Sequence, residues 1–323
     1  MLIKVKNLCK YYQVHKKEPG FASSVKSFFH RTYFDAKAVD DISFTINQGE
    51  LIGFIGPNGA GKTTTLKCLS GLLYPTHGEV SVLGFSPSKR EYDYLRQIAL
   101  VMGQKNQLWW DLPAYDSFLL NQVIYGISDH QFHETVNELM ELLDLNEVSK
   151  IPVRKLSLGQ RMKCELVTAL LHRPKVLFLD EPTIGLDVVM QKNIRDFIKM
   201  YNQKYNATIM LTSHYMEDVK ELCDRVIIID HGKLLFDGRL DDIVKKYTSH
   251  KVLSMSFDRL PERLTLEEFG SVLEYEQHLV RISVQREKTS YVVGKLLETY
   301  QIDDLNIEEV KIEEIIREVF NKE

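Results

Sequence analysis

A glycine-rich stretch of the sequence has the residue types that bind phosphate. Residues 56–64 read Gly-Pro-Asn-Gly-Ala-Gly-Lys-Thr-Thr, after an apolar run and before a segment with helical spacing of its apolar residues. Glycines let backbone N–H groups wrap around an anion, and the beginning of a helix adds partial positive charge. The pattern predicts a nucleotide phosphate site formed by Gly56, Pro57, Asn58, Gly59, Ala60, Gly61, Lys62, Thr63 and Thr64.

A lysine, a hydroxyl and two carboxylates supply the groups that phosphate chemistry needs. Lys62 is expected to reach the β- and γ-phosphates, and the Thr63 hydroxyl to ligate Mg²⁺. A second apolar run, Val176–Leu179, ends in Asp180 and Glu181. In isolation such a pair is more often a solvated turn, but a phosphate loop in the same chain favours catalysis. Asp180 would then hold the Mg²⁺ shell, and Glu181 would polarise the attacking water.

Positioning these residues requires a sheet whose strand ends meet. Short, continuously apolar runs are typical of strands in a parallel sheet that is covered on both faces. They alternate here with helical spacing, which predicts an α/β fold. From about residue 105 to 173 the spacing is helical, which predicts a helical subdomain inside the α/β core. The predicted strands of the core are Leu51–Ile55, Ile98–Val101, Val176–Leu179, Thr208–Leu211 and Val226–Ile229.

Length and composition restrict the possible organisation. A chain of 323 residues with ordinary globular composition accommodates one large domain and an appendage. A new alternating segment opens near residue 250, so we predict a first domain over 1–248 and a small α+β accessory domain over 249–323.

Several functional classes are disfavoured by the same data. No apolar run approaches the ~20 residues that span a bilayer, and the first residues lack a signal-peptide pattern. The four cysteines are scattered, which favours buried thiols in a reducing compartment. The net charge of −4 disfavours a nucleic-acid partner. We therefore expect a cytoplasmic protein, and any membrane role would need another polypeptide.

The order of further motifs resembles that in the nucleotide-binding subunits of ABC transporters. Leu156–Gln160 reads Leu-Ser-Leu-Gly-Gln, similar to the family signature Leu-Ser-Gly-Gly-Gln, and Ser157 lies 23 residues before Asp180. The loop Gly185–Asp187 is similar to the family's dimer-contact loop, and His214 to its switch histidine. The resemblance covers residues 1 to about 245.

The resemblance implies a P-loop NTPase core of the ABC ATPase type with an N-terminal antiparallel β part. It also implies ATP and Mg²⁺ as ligands. Two copies would dimerise head to tail around two ATP molecules, so that the signature of one copy faces the phosphate loop of the other. The signature and dimer-contact residues expected at this nucleotide are Ser157, Gly159, Gln160 and Asp187. Leu158 departs from the family pattern, but we expect an active motif because the residues on either side are retained.

Two assignments implied by the resemblance have competing candidates. Gln104 fits the residue that senses the γ-phosphate, belongs to the Mg²⁺ site and touches the membrane partner, although Gln107 lies nearby. Tyr12 fits the residue that stacks on adenine, with Tyr11 as the alternative. His214 is expected to act in catalysis together with Glu181.

The partners implied are multi-span membrane permease subunits and a second copy of the ATPase, with a heterodimer as an alternative. The chain would then lie peripherally on the cytoplasmic face of the membrane and power transport, in the direction of export. The alternative function is a non-transport ABC ATPase, a translation or DNA-repair factor. A phosphate-loop kinase or GTPase is a third possibility, but it would not need residues 156–160.

Two segments are not explained by the motifs. Residues 13–38 interrupt the strand pattern with five Lys and Arg against two Asp and Glu, and they predict a short amphipathic helix over Ser23–Arg31. Similar insertions occur in ATPases of polysaccharide and lipid-linked exporters, and we favour protein contact over lipid contact for this one. The pair Trp109-Trp110 fits an interface anchor or burial against the helical subdomain equally well.

Overall fold

Two sheets form the framework of the first part of the chain. The computed structural model describes residues 1–15, 33–103, 105–247, 250–258, 260–276 and 278–309. The strands are β1 (Ile3–His15), β2 (Tyr33–Ile46), β3 (Leu51–Ile55), β4 (His77–Val82), β5 (Ile98–Met102), β6 (Val176–Asp180), β7 (Thr208–Thr212), β8 (Arg225–Asp230) and β9 (Lys233–Arg239). β2, β1 and β4 pair antiparallel in that order, and the others form a second sheet in the order β5-β6-β7-β3-β8-β9.

The second sheet contains the parallel core that the sequence predicts. β3 pairs in parallel with β7 and β8, and β6 pairs in parallel with β5 and β7. Every residue of β6 and β7 is buried, which explains why these strands are apolar without alternation. Because parallel strands end at one edge of the sheet, the residues that follow β3, β6 and β7 come together there.

The antiparallel sheet extends further than the sequence pattern predicts. The ladder between β1 and β2 continues to the pair His15 and Tyr33, whose rings make an edge-to-face contact with centroids 5.6 Å apart. Both ends of the segment 13–38, expected to interrupt the strands, are therefore strand themselves. Aromatic and β-branched residues favour such cross-strand pairing even without a core beneath them. The predicted helix Ser23–Arg31 lies outside the described residues.

Helices connect the strands and form the predicted helical segment. They are α1 (Lys62–Leu69), α2 (Tyr92–Leu95), α3 (Ala114–Tyr125), α4 (Asp129–Leu142), α5 (Leu158–Leu170), α6 (Val188–Tyr205) and α7 (Met216–Leu222). α3, α4 and α5 lie within 105–173, where the helical spacing predicts them. In α4 the Ser128 side chain caps the first turn, and Phe132, Val136 and Leu139 form a buried stripe. Within the described ranges, the helices are too short or too polar to cross a membrane.

A second compact unit begins at Gly238. It contains α8 (Leu240–Tyr247), β10 (His250–Ser256), α9 (Arg263–Glu267), β11 (Ser271–Tyr275), β12 (Leu279–Gln285), α10 (Thr289–Thr299) and β13 (Asp304–Glu309). The strands form an antiparallel sheet in the order β11-β12-β10-β13, and its core includes side chains of α9 and α10. The unit contains both helices and antiparallel strands. It begins before residue 249, and the domain limits 1–248 and 249–323 stay a prediction.

Replacing a core leucine tests the packing of this second unit. Leu253 in β10 is fully buried, so Leu253→Ala should lower the local free energy of unfolding by about 2–5 kcal/mol. Leu273→Ala removes the same atoms from a side chain that is 53% exposed, and it should cost less than about 1 kcal/mol. Hydrogen exchange of the β12 amides in the full chain measures both losses. Equal losses in the two variants would show that Leu253 is not a core residue.

Candidate functional site

The glycine-rich loop joins β3 to α1, as the sequence predicts. Its backbone is held close to the neighbouring strand. Gly61, directly before α1, has a φ of +104°, and a Cβ atom there would lie 2.3 Å from the carbonyl oxygen of Ala38. Only glycine tolerates both the conformation and the close approach. The loop therefore presents backbone N–H groups and the beginning of α1 at the edge where the parallel strands end.

Lys62 lies at the start of α1 with its ammonium group folded onto the loop. The Nζ atom donates hydrogen bonds to the carbonyl oxygens of Gly56 (2.6 Å) and Pro57 (3.0 Å). Burial lowers the pKa of Lys62, and the nearby carboxylates of Glu181 and Asp180 act in the opposite direction. A cation that is held by carbonyl groups at the mouth of the loop can exchange these bonds for bonds to phosphate oxygens.

Asp180 is the buried carboxylate of the site. Its side chain accepts hydrogen bonds from the Thr63 hydroxyl (2.8 Å) and from the Thr212 hydroxyl (2.7 Å). The residue ends β6, whereas Thr63 belongs to α1 and Thr212 ends β7. A carboxylate beside a hydroxyl is an oxygen donor set of the kind that Mg²⁺ prefers. A cavity of about 120 Å³ adjoins these atoms, and its lining includes Thr63, Lys67, Lys105, Asp180 and Glu181.

Glu181 and His214 meet across the ends of β6 and β7. The Nε2 atom of His214 lies 2.7 Å from Oε1 of Glu181. The backbone of Glu181 is left-handed, with a φ of 55°, and its N–H group donates to the carbonyl oxygen of Thr212 at 3.1 Å. The turn after β6 therefore directs the Glu181 side chain towards the loop after β7. This arrangement suits a carboxylate that takes a proton from water, with the imidazole holding it in place.

The signature residues make their hydrogen bonds at the beginning of α5. Ser157 and Gln160 form a reciprocal capping box, in which each side chain accepts from the other residue's backbone N–H at 3.0–3.2 Å. Gly159 is buried, and a Cβ atom there would lie 2.6 Å from Cγ of Met190. Asp187 likewise caps α6 by accepting from the Met190 N–H at 2.9 Å. Ser157 and Gln160 therefore cap the beginning of α5, and Asp187 caps the beginning of α6.

Leu158 departs from the family signature, and the structure provides a place for its side chain. It occupies the first position of α5 and is partly buried. A Cβ atom built on Gly185 would lie 3.0 Å from Cδ2 of Leu158. The larger side chain therefore fits because the facing residue is a glycine.

Of the four residues in the two competing assignments, the structure describes Tyr11, Tyr12 and Gln107. The Tyr11 hydroxyl donates to Asp40 at 2.5 Å, and this bond raises the pKa of Tyr11. Lys37 lies over the Tyr11 ring and Lys10 lies over the Tyr12 ring, with the Nζ atom 5.2 Å and 5.3 Å from the ring centre, respectively. Tyr12 is 38% exposed and Tyr11 is partly buried, and Tyr12 stays the predicted residue for adenine, with Tyr11 as the alternative. Gln104 lies outside the described residues, and the Gln107 side chain donates to the backbone oxygen of Leu100 at 2.8 Å.

Glu165 was not predicted by any motif. This buried residue of α5 accepts hydrogen bonds from the backbone N–H groups of Gln107 (2.8 Å) and Leu108 (3.3 Å) through one carboxylate oxygen. Burial raises the pKa of Glu165 above its usual range. The bonds connect the signature helix to the segment that follows β5. A signal is present in the sequence, because an acidic residue interrupts the apolar face of α5 between Met162 and Leu166.

Comparisons with known proteins agree with this geometry. A family model described as ABC transporter matches residues 39–184, and a model described as EvrA-like ABC transporter, C-terminal domain matches residues 249–308. The bacitracin transport ATP-binding protein BcrA of Bacillus licheniformis is 34% identical over 77% of this chain and 79% of its own length. The Nod factor export ATP-binding protein I of Sinorhizobium fredii is 32% identical over 73% of this chain and 68% of its own length. A solved structure of an ATP-binding subunit of an ABC transporter is similar, with 26% identity and a TM-score of 0.63, over 76% of this chain and 93% of that one.

Substitution of Gly185 tests the contact that accommodates Leu158. Gly185 has a φ of +72° and Gly84 a φ of +84°, but no atom lies within 4 Å of a Cβ built on Gly84. Gly84→Ala should therefore cost about 1 kcal/mol from backbone conformation alone, and Gly185→Ala should cost about 1 kcal/mol more. Both tryptophans lie before residue 238, so their fluorescence during urea denaturation reports on the first unit. The extra cost should disappear in a Leu158→Gly background, and its persistence there would rule out this contact.

Proposed function

The chain belongs to the family of ABC transporter ATP-binding proteins, and from that premise we propose that it drives export through separate membrane-spanning subunits. It is an ATPase that binds and hydrolyses ATP as a subunit of such a transporter. The main support for the proposed site is the hydrogen bond from the Thr63 hydroxyl to Asp180, next to the contact between Glu181 and His214. The names of the relatives favour transport over a role in translation or DNA repair.

The phosphate loop would bind the nucleotide through its backbone. Residues 56–64 supply N–H donors, and Lys62 would exchange its bonds to Gly56 and Pro57 for bonds to the β- and γ-phosphates. Thr63 and Asp180 fit Mg²⁺, which supplies charge neutralisation on the phosphates when it is bound. Gln104 is proposed for the same cation site. Tyr12 would stack on the adenine ring through the face that Lys10 does not cover.

Hydrolysis would use the carboxylate of Glu181. A water oxygen attacks the γ-phosphorus while the bond from that phosphorus to the bridging oxygen breaks, which releases ADP and phosphate. Glu181 would accept a proton from this water, and His214 would hold the carboxylate in position through the contact at 2.7 Å. The Glu181 backbone bond to Thr212 keeps this carboxylate next to Asp180.

Dimerisation would complete each nucleotide site. The beginning of α5, with Ser157, Gly159 and Gln160, carries partial positive charge and would face the γ-phosphate held by a second copy. Asp187 would contact the partner from the beginning of α6. Because Leu158 packs near Gly185, its side chain leaves the beginning of α5 accessible to a phosphate.

The membrane-spanning subunits would bind the helical subdomain. Trp109 and Trp110 are 57% and 48% exposed, which favours an interface anchor over burial for this pair. α3 adds exposed aliphatic side chains to this subdomain, among them Leu119, Val123 and Ile124. Binding through these residues would place the chain peripherally on the cytoplasmic face of the membrane. Export is supported by the relative that is named for Nod factor export.

The variant Glu181→Gln tests the proposed catalytic base. It keeps the size and polarity of the side chain but cannot take a proton, so turnover should fall at least about 100-fold. ATP binding should persist, and the variant should accumulate as an ATP-bound dimer because it cannot hydrolyse the ligand. Steady-state phosphate release and light scattering with ATP measure the two effects. Glu141→Gln, an exposed change in α4, is the matched control. Unimpaired hydrolysis by Glu181→Gln would refute the assignment.

A further inference from the structure

The side chain of Asp218 is fully buried and is held by three donors. This residue of α7 accepts hydrogen bonds at Oδ2 from the Thr183 hydroxyl (2.5 Å) and the Ser213 hydroxyl (2.6 Å). The other oxygen, Oδ1, accepts from Nη1 of Arg195 at 3.0 Å. The side chains of Asp218 and Arg195 are 0% and 4% exposed. None of the motifs described above and no step of the proposed hydrolysis uses this carboxylate.

Two of these donors flank the Glu181–His214 contact. Thr183 lies two residues after Glu181 in the turn that follows β6, and Ser213 directly precedes His214 in the loop that follows β7. The Ser213 hydroxyl also accepts from the Tyr215 N–H at 3.0 Å, and this bond spans His214. One carboxylate oxygen therefore connects the two loops that carry the two members of the contact.

The third donor extends the connection to α6. Burial opposes the charge of Arg195, but its bonds to Asp218 and Glu221 outweigh this effect and raise its pKa. Asp218, Thr183, Ser213, Arg195 and Glu221 form one bonded cluster. Its half-exposed member is Glu221, whose Oε2 atom lies 2.7 Å from Nε of Arg195. α6 is the helix whose first turn Asp187 caps. The cluster thus joins the beginning of α7, the middle of α6 and both loops.

A buried carboxylate fixes the positions of its donors more strictly than apolar packing does. If one donor moves away, the carboxylate loses a hydrogen bond in a place that water does not reach, and the remaining donors only partly offset this cost. Charge-assisted hydrogen bonds are also short and directional, so they specify distance and angle. Thr183 and Ser213 can therefore shift only together while both remain bonded to Asp218.

We propose that Asp218, acting through Thr183 and Ser213, is a positioning residue that sets the distance between the Glu181 carboxylate and the His214 imidazole. This inference rests on the proposed roles of Glu181 and His214 in hydrolysis. It adds that the geometry of their contact is determined outside the site, by a carboxylate that touches neither nucleotide nor water. The hydroxyl groups, rather than the volumes of the two side chains, carry the effect.

Paired substitutions separate the hydroxyl from the volume of each side chain. Thr183→Val keeps the shape and removes the hydroxyl, whereas Thr183→Ser keeps the hydroxyl and removes a methyl group. Ser213→Ala and Ser213→Thr make the same comparison on the other loop. The control is Thr168→Val, which removes a buried hydroxyl that bonds within α5 to the Cys164 carbonyl. Steady-state kcat and KM for ATP are measured in the full chain, with the thermal unfolding midpoint of each variant.

A positioning role predicts loss of kcat with retained binding. Thr183→Val and Ser213→Ala should each lower kcat about tenfold and change KM less than about threefold. Thr183→Ser, Ser213→Thr and Thr168→Val should stay within about threefold of the wild-type kcat. The inference is overturned if Thr183→Val keeps its kcat, or if the valine and serine variants lose activity equally. Should Thr183→Val fail to fold, the Ser213 pair decides.

The same measurements distinguish this inference from the proposed function. If Glu181→Gln hydrolyses ATP normally, the proposed base is wrong, whatever the Thr183 and Ser213 variants do. If Glu181→Gln is inactive while Thr183→Val and Ser213→Ala turn over normally, only the positioning role of Asp218 is refuted.

Discussion

A carboxylate that leaves water must find other partners, and Asp180 meets this requirement with two hydroxyl groups. Thr63 and Thr212 satisfy its oxygens but bring no charge, and the ammonium group of Lys62 donates its hydrogen bonds to the loop carbonyls. Burying an ionised group costs several kcal/mol unless its charge is also balanced. The site therefore places a buried carboxylate where a divalent cation and a polyphosphate would bind. The phosphate loop, the apolar strands and the loops after β6 and β7 all serve to keep this carboxylate in position.

The parallel sheet provides the rigid part of the site, and the capped helices provide the part that a second copy would use. β3, β6 and β7 are short and buried, so their ends have little freedom to move. The beginnings of α5 and α6 are fixed by Ser157, Gln160 and Asp187 within the chain. Glu165 then connects α5 to the segment after β5, so a displacement of α5 would also move this segment.

Local patterns predicted much of this architecture, because phosphate loops and buried strands leave short, contiguous signals. The loop 56–64, the acidic pair 180–181 and the helical segment 105–173 are of this kind. The hydrogen bonds of Glu165 and Asp218 could not be predicted, because the donors lie 57 and 58 residues from Glu165 and up to 35 residues from Asp218 in the sequence. The strand pairing at the ends of the segment 13–38 could not be predicted either, because exposed residues such as Val14, Tyr33 and Phe34 leave no alternating apolar pattern.

The most direct test of the site is whether the affinity for ATP depends on Mg²⁺ through Asp180. Isothermal titration of the full chain should show ATP binding that is at least about tenfold tighter with Mg²⁺ than without it. Asp180→Asn keeps the oxygen acceptor but removes the charge, so it should bind ATP without Mg²⁺ much as the wild type does and lose the enhancement. An Asp180→Asn variant that keeps the full Mg²⁺ effect would contradict the account.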